Sequence, residues 1–230
     1  MISLHLLIDA DDTLWENNIY FERAFADFCD FLGHSTLTAI QVRAILDEIE
    51  LVNSRVHGYG SLNFGRNLRE CYERLAERGV CQDDLNTVTA FAERIPEAPM
   101  EVIDGVPETL EYLAARHYLT LFTKGHPEEQ KLKLDRSGLE RWFGHTAIVK
   151  EKNAASYRQL VEERALDPER TWMIGNSPKS DINPALETGL NAVLVPHEHT
   201  WRLEHEEVAS PTEGRRLVTV ERFADLKTLF

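Results

Sequence analysis

From about residue 104 to the end, short apolar runs alternate with amphipathic stretches, and this alternation constrains the fold more than any other feature of the chain. Runs rich in β-favouring residues predict strands, while apolar residues at helical spacing predict the helices between them. The predicted strands are 118–122, 146–149, 171–174 and 192–195; the predicted helices are 107–116, 128–134, 154–164 and 182–187; a short strand and helix near 217–229 follow. This order is typical of a parallel sheet with helices on both faces.

A further strand is predicted at residues 4–8, and the stretch from about 18 to 98 is helical in pattern, with room for four antiparallel helices. The sheet pattern is therefore interrupted by a helical insertion. Between two of these helices the glycine-rich, aromatic segment 56–65 breaks the periodicity, so we expect either a plain turn or a loop that faces substrate.

Polar residues follow three of the predicted strands. Asp9 to Thr13 follow the first strand, Thr123 to Gly125 the second, and Gly175 to Ser177 another. Because parallel strands end at a common edge, where α/β proteins bind ligands, we expect these residues to converge. Carboxylates as close as Asp9 and Asp11 repel each other, which favours a site that holds a cation or a proton.

Composition excludes several other classes. The 230 residues are 43% hydrophobic, which suffices for a substantial core, and no apolar run is long enough to span a bilayer. The N-terminus lacks the features of a signal peptide, so we expect a cytoplasmic protein. A formal charge of −14 argues against nucleic-acid or membrane partners.

The three cysteines, Cys29, Cys71 and Cys81, match no disulfide or zinc pattern, and we expect reduced, mostly buried thiols.

Four short motifs, in order, resemble those of the haloacid dehalogenase-like hydrolase superfamily. They are Asp9-Ala10-Asp11-Asp12-Thr13, Thr123 at the end of LTLFT, Lys152 in VKEKNAASY, and Gly175 to Asp181 in GNSPKSD. The resemblance implies an α/β fold, with a Rossmann-like three-layer core and parallel sheet, formed by residues 1–15 and 99–230. It also implies an all-helical cap over 16–98, similar to the C1-type cap of one branch of the superfamily.

The resemblance implies that Asp9 is a nucleophile and Asp11 a general acid and base. Asp9, the backbone carbonyl of Asp11, and Asp181 would bind Mg2+, with Asn176 as a further candidate ligand. Thr123, Lys124 and Lys152 would bind phosphate. The chemistry is consistent, because an aspartate can attack phosphorus while a second carboxyl group transfers protons and a hard cation offsets the negative charge.

Each residue also has an ordinary structural interpretation. A carboxylate after a strand is commonly a helix cap or turn residue, Thr123 could satisfy a backbone group, and Asp181 could lie in the first turn of a helix. Lys150 competes with Lys152, which is preferred because it directly precedes the predicted helix.

Two positions depart from the commonest motifs: Asp12 stands where glycine is frequent, and Asn176 where aspartate is frequent. We interpret the histidines of VPHEHTWRLEHEE, His197, His199 and His205, as part of a solvated loop. Trp15 could line a substrate pocket or plug the junction with the helical insertion.

The sequence therefore predicts a Mg2+-dependent phosphatase acting on a small phosphorylated metabolite. A phosphotransferase or sugar-phosphate mutase could use the same nucleophile, and a noncatalytic phospho-ligand binding protein is the alternative outside enzymes. A dehalogenase is disfavoured because that branch lacks an acid at the Asp11 position. The substrate and the oligomeric state stay open.

Overall fold

The computed structural model describes residues 3–230, which group into two compact units. One comprises residues 3–16 and 100–230 and is called the sheet unit; the other comprises residues 17–99 and is called the helical unit. Among the described residues, no helix combines the length and apolarity that crossing a membrane requires.

The helical unit contains four α-helices within its fully described range. They are α1 (Asn18–Leu32), α2 (Ala39–His57), α3 (Ser61–Leu75) and α4 (Gln82–Glu93). Their apolar faces form a separate core that includes Phe28, Leu46 and Leu68. Of the two interpretations of 56–65, the structure has the plain turn, and it is shorter than the segment: α2 continues to His57 and α3 begins at Ser61, because positive φ angles at Gly58 and Gly60 turn the chain tightly.

The sheet unit has six parallel strands among its described residues, in the order β3-β2-β1-β4-β5-β6. They are β1 (His5–Ile8), β2 (Tyr118–Lys124), β3 (His145–Val149), β4 (Thr171–Gly175), β5 (Asn191–Leu194) and β6 (Leu217–Thr219). The strand order reverses direction beside β1, which is flanked by β2 and β4. The predicted fold class, a Rossmann-like α/β sheet with an inserted helical segment, is confirmed.

Helices cover both faces of the sheet. They are α5 (Val106–Ala114), α6 (Pro127–Ser137), α7 (Ala154–Glu163) and α8 (Asn183–Glu187). Side chains of β1 alternate between the faces: Leu6 and Ile8 join the core with α5, while Leu7 joins the core with α7 and α8. A strand buried on both sides is continuously apolar, which explains the LLI run before Asp9.

The cysteines all carry free thiols, but they are not mostly buried. Cys71 is buried, Cys29 is half-buried and Cys81 is exposed, so the burial prediction is wrong for Cys81. Burial raises the pKa of the Cys71 thiol to about 12.

Candidate active site

The carboxyl ends of β1, β2 and β4 bring the sequence motifs together. Asp9 directly follows β1, Thr123 lies at the end of β2, and Asn176 directly follows β4. All three are buried, with exposed fractions of 6%, 1% and 7%. The register explains this convergence, since β1 pairs in parallel with both β2 and β4 and the three strands end side by side.

Lys152 lies between two carboxylates of this edge. Its Nζ donates to Oδ1 of Asp9 at 2.5 Å and to the carbonyl oxygen of Phe122 at 3.1 Å, and it forms an ion pair with Oδ1 of Asp181. Lys152 is 3% exposed, whereas Lys150 lies on the surface. Of the two lysines that the sequence left in competition, Lys152 is therefore the one that contacts the carboxylates.

One ammonium group does not balance two buried carboxylates. Burial raises the pKa of Asp9, and Lys152 only partly offsets this effect. Burial likewise raises the pKa of Asp181 to about 7, with repulsion from Asp9 adding to it. Burial alone would lower the pKa of Lys152, but Asp181 and Asp9 outweigh it and raise the pKa, so the lysine stays charged.

This donor set fits a hard divalent cation. Oδ1 of Asp181 is buried and contacts the same ammonium group as Asp9, that of Lys152. The Thr13 hydroxyl lies 3.2 Å from Oδ2 of Asp9 and 3.3 Å from Oδ1 of Asn176. The uncharged amide oxygen of Asn176 therefore lies near the Asp9 carboxylate and could bind the same cation. Carboxylate and amide oxygens are ligands that suit Mg2+, and its charge would offset the excess negative charge.

A close backbone approach and a π-helical turn place Asp181. Residues Pro178–Ile182 form a π-helix, a geometry common at functional sites, and the Ser177 N–H donates to Oδ2 of Asp181 at 2.9 Å. A Cβ atom at Gly175 would lie 2.3 Å from Oδ2 of Asp181. Only glycine at the end of β4 therefore leaves room for this carboxylate.

Asp11 lies at the same edge but has different partners. Its carboxylate accepts hydrogen bonds from the Trp15 indole at 2.8 Å, from Gln130 at 2.7 Å and from Lys133 at 2.6 Å. Trp15 is fully buried in the sheet-unit core, which favours the plug over the pocket-lining interpretation. Motif matching did not identify Gln130 or Lys133; their spacing of three on a helix was the signal available.

Lys124, a predicted phosphate ligand, is bound to protein groups. Its Nζ donates to Oε1 of Glu204 at 2.5 Å and to the Ser180 hydroxyl at 2.8 Å. The adjacent Thr123 hydroxyl lies 3.5 Å from the carbonyl oxygen of Lys124, a long contact. Glu204 also accepts from the Ser177 hydroxyl at 2.6 Å, so one buried carboxylate joins the last residue of β2 to the segment after β4.

The segment after β5 is not a solvated loop as predicted. Thr200 and Glu204 are buried, and the Asn176 amide donates to the Thr200 hydroxyl at 2.9 Å. An aspartate at position 176 could not make this donation, which gives a physical reason for the asparagine there. Sequence reasoning missed both residues because neither belongs to a motif.

His197 contacts two carboxylates and the backbone of His199 through its ring nitrogens. Its Nε2 lies 3.2 Å from Oε1 of Glu16, and its Nδ1 lies 3.9 Å from Oδ1 of Asp12 and accepts the His199 N–H. Donor atoms of these three side chains, Asp12, Glu16 and His197, lie within 4.8 Å of one another. Both ring nitrogens are thus engaged within the protein, Nδ1 as the acceptor of the His199 N–H and Nε2 beside Glu16. Asp12 has a φ of 57°, which explains why glycine suits this position.

Comparison with known proteins agrees with this fold and arrangement of motifs. A family model for haloacid dehalogenase-like hydrolases matches residues 5–189. The chain belongs to this family. The predicted superfamily is confirmed, and the chain is a hydrolase of this group, whereas its assignment to the C1-cap branch stays a prediction.

Several solved structures are similar over nearly the whole chain. A haloacid dehalogenase-like family hydrolase from Xanthomonas campestris is 28% identical, with a TM-score of 0.83 and coverage of 99% of this chain and 94% of that chain. The HAD-hydrolase YfnB from Bacillus subtilis, in a structure bound to magnesium, is 18% identical, with a TM-score of 0.68 and coverage of 100% and 99%. The 2-haloacid dehalogenase from Pseudomonas syringae pv. Tomato is 17% identical, with a TM-score of 0.64 and coverage of 99% and 98%. The last two likenesses show the fold alone. No curated protein matches the sequence significantly.

Proposed function

We propose that this family member is a Mg2+-dependent phosphatase that hydrolyses a small phosphomonoester through a phosphorylated Asp9. The observation that carries the proposal is the position of Lys152, whose Nζ contacts one oxygen of Asp9 and one of Asp181. A single cation between two buried carboxylates leaves negative charge that a divalent metal would offset. The Lys152 ammonium and the metal together would offset the charge of an incoming phosphoryl group.

The proposed reaction has two steps. In the first, an oxygen of Asp9 bonds to phosphorus while the bond to the leaving-group oxygen breaks, and Asp11 gives that oxygen its proton. In the second, a water oxygen bonds to phosphorus, the bond to Asp9 breaks, and Asp11 takes up the proton of the water. The same carboxyl group thus ends the cycle in its starting state.

The remaining residues bind and orient. Lys152 is held charged by its two carboxylates and would attract phosphoryl oxygens as well as Asp9. The Thr123 hydroxyl, whose contact with a carbonyl oxygen is long, would donate to a phosphoryl oxygen. Asp9, Asp181 and Asn176 would hold Mg2+, with the backbone carbonyl of Asp11; when bound, the metal supplies charge neutralisation and orientation.

Asp11 is the feature that favours phosphate over halide chemistry. Displacing a halide needs no proton at the leaving group, whereas expelling an alkoxide does. A phosphatase therefore needs a second carboxyl group near the nucleophile, and this chain has one two residues after Asp9. Release of chloride from a 2-chloroacid, without release of phosphate from any ester, would favour a dehalogenase instead.

The test measures inorganic phosphate released from 4-nitrophenyl phosphate, with Mg2+ or with excess chelator. We expect metal-dependent turnover by the native chain and a loss of at least about 1,000-fold in Asp9→Asn, because the nucleophile is removed. Asp135→Asn, at an exposed position on α6, is the matched control and should keep native activity. Circular dichroism should show that both variants are folded.

The same assay distinguishes the related functions. A burst of nitrophenol with phosphate retained on the protein would indicate a phosphotransferase that awaits an organic acceptor. A folded native chain that binds phosphate but gives neither product would contradict catalysis and favour a binding protein.

A further inference from the structure

The carboxylate of Asp11 is held from three directions. The Trp15 indole donates to Oδ1, Gln130 donates to Oδ2, and Lys133 Nζ lies within hydrogen-bond distance of both oxygens, at 2.6 and 2.7 Å. The side chains of Asp11 and Lys133 are only 22% and 21% exposed. This ion pair is therefore not a loosely solvated surface contact of the kind that contributes little.

Gln130 and Lys133 come from one face of α6, the helix that follows β2. Residues three apart on a helix are neighbours, so both side chains can reach the same carboxylate. Trp15, by contrast, belongs to the same turn as Asp11 and is fixed in the core. These hydrogen bonds to the Asp11 carboxylate thus connect the turn after β1 to α6, the helix after β2.

The turn before α6 fixes Gln130. Its Nε2 also donates to the carbonyl oxygen of Lys124 at 3.1 Å. Gly125 has a φ of +142°, and a Cβ atom there would lie 2.8 Å from Nε2 of Gln130. Gln130 is 5% exposed, so its amide is held between the Gly125 backbone and Asp11.

We propose that Gln130 and Lys133 are positioning residues for Asp11, which they hold in the orientation needed for proton transfer to the leaving group. This inference rests on the proposed phosphatase function. A general acid must carry a proton and lie within hydrogen-bond reach of the leaving oxygen. To carry that proton, Asp11 exchanges one of its two contacts with Lys133 for it, while the other Lys133 contact and the donors on the remaining positions keep the carboxyl group in one orientation. Neither residue touches the phosphoryl group in this role; both act through Asp11.

The test compares two aryl phosphates of similar size, 4-nitrophenyl phosphate and phenyl phosphate. Nitrophenolate leaves readily without a proton, whereas phenolate is a poorer leaving group and depends on the acid. In Lys133→Met we expect kcat for phenyl phosphate to fall about 10- to 100-fold, with a much smaller change for 4-nitrophenyl phosphate. The ratio of kcat for phenyl phosphate to kcat for 4-nitrophenyl phosphate therefore falls, and Gln130→Leu should lower this ratio as well.

Two controls separate positioning from other roles. Lys131→Met removes an exposed lysine from the same helix and should leave both rates unchanged. In an Asp11→Asn background, Lys133→Met should have no further effect on the ratio, because the residue through which it acts is gone.

Several results would overturn the inference. Equal loss with both esters would mean that Lys133 binds phosphate or supports the fold, and a faster reaction would mean that it restrains Asp11. An unchanged ratio in Lys133→Met and Gln130→Leu would contradict positioning while leaving the phosphatase function intact. Absence of Asp9-dependent turnover by the native chain would instead remove the proposed function, and this inference with it.

Discussion

At the scale of single residues, two glycines matter because polar side chains of the candidate site pack against them. The side chain of Gln130 packs against Gly125, and the side chain of Asp181 packs against Gly175. In both places a β-carbon would occupy space that a polar side chain needs. The glycines at these strand ends therefore act on the site through shape, although they carry no chemistry themselves.

Gly175→Ala tests this at the proposed metal site. Because the new Cβ would lie 2.3 Å from Oδ2 of Asp181, that carboxylate must move. We expect Mg2+ affinity to fall about 10- to 100-fold and the free energy of unfolding to fall by about 1–3 kcal/mol. Isothermal titration calorimetry and urea unfolding measure the two effects.

Gly144→Ala is the matched control. A Cβ atom there meets only the Leu119 carbonyl oxygen, at 3.9 Å. Its unfolding free energy should change by no more than about 0.5 kcal/mol, with native Mg2+ affinity. Native Mg2+ binding by Gly175→Ala would refute the placement of Asp181 at the metal.

At the scale of elements, the segment between β5 and β6 belongs to the site although it has little regular structure. Glu204 lies in a short 3-10 turn (Arg202–Glu204) and accepts hydrogen bonds from Ser177 and Lys124. Burial raises the pKa of Glu204, but Lys124 and the hydroxyl donors outweigh this and hold it below its ordinary value. A charged, buried and well-paired carboxylate thus attaches this segment to the ends of β2 and β4.

Glu204→Gln should reveal this attachment. At pH 7 we expect the free energy of unfolding to fall by about 3 kcal/mol, because Lys124 loses its buried partner. Since the folded pKa of Glu204 is depressed, its stabilisation is complete above the unfolded value of 4.5 and is lost as pH falls through the folded value. The difference between variant and native chain should therefore shrink below about pH 4.5.

Urea unfolding between pH 3 and 8 makes this measurement. Glu198→Gln, at a side chain 84% exposed in the same segment, should differ from the native chain by no more than about 0.5 kcal/mol at every pH. A Glu204→Gln difference that is constant with pH would show that the carboxylate charge plays no part.

At the scale of the whole molecule, the chain has separate cores in its two units. Leu68 lies in the core of the helical unit, and Leu7 lies in the core of the sheet unit beneath the site. Both leucines are fully buried. Separate cores predict that each unit can lose stability by itself.

Leu68→Ala and Leu7→Ala form a matched pair that tests this independence. Each should destabilise its own unit by about 2–5 kcal/mol, because a buried leucine is replaced by a cavity. In hydrogen exchange monitored by mass spectrometry, Leu68→Ala should speed exchange in residues 17–99 and Leu7→Ala in β1, β2 and β4. Faster exchange throughout the chain in both variants would show one cooperative unit instead.

Much of the fold follows from local patterns in the sequence. Apolar runs and helical spacing predicted the strands and most of the helices, since burial on both faces demands continuous apolar strands and burial on one face demands helical periodicity. Because parallel strands end at one edge, the positions of Asp9, Thr123 and Asn176 could also be predicted. A turn within 56–65 could be predicted as well, but not its bounds at Gly58 to Gly60, because the pattern does not show how few residues suffice when φ is positive.

The family, the fold class and the edge of the sheet at which the polar residues meet follow from the amino-acid sequence, because these depend on motifs and on periodicity. The side-chain contacts of the site follow from the folded structure. Asp11 meets Gln130 and Lys133, and Glu204 meets Lys124 and Ser177, across long separations in sequence. Such contacts depend on side-chain directions and on how the segments between strands return to the sheet, and neither is encoded in local spacing.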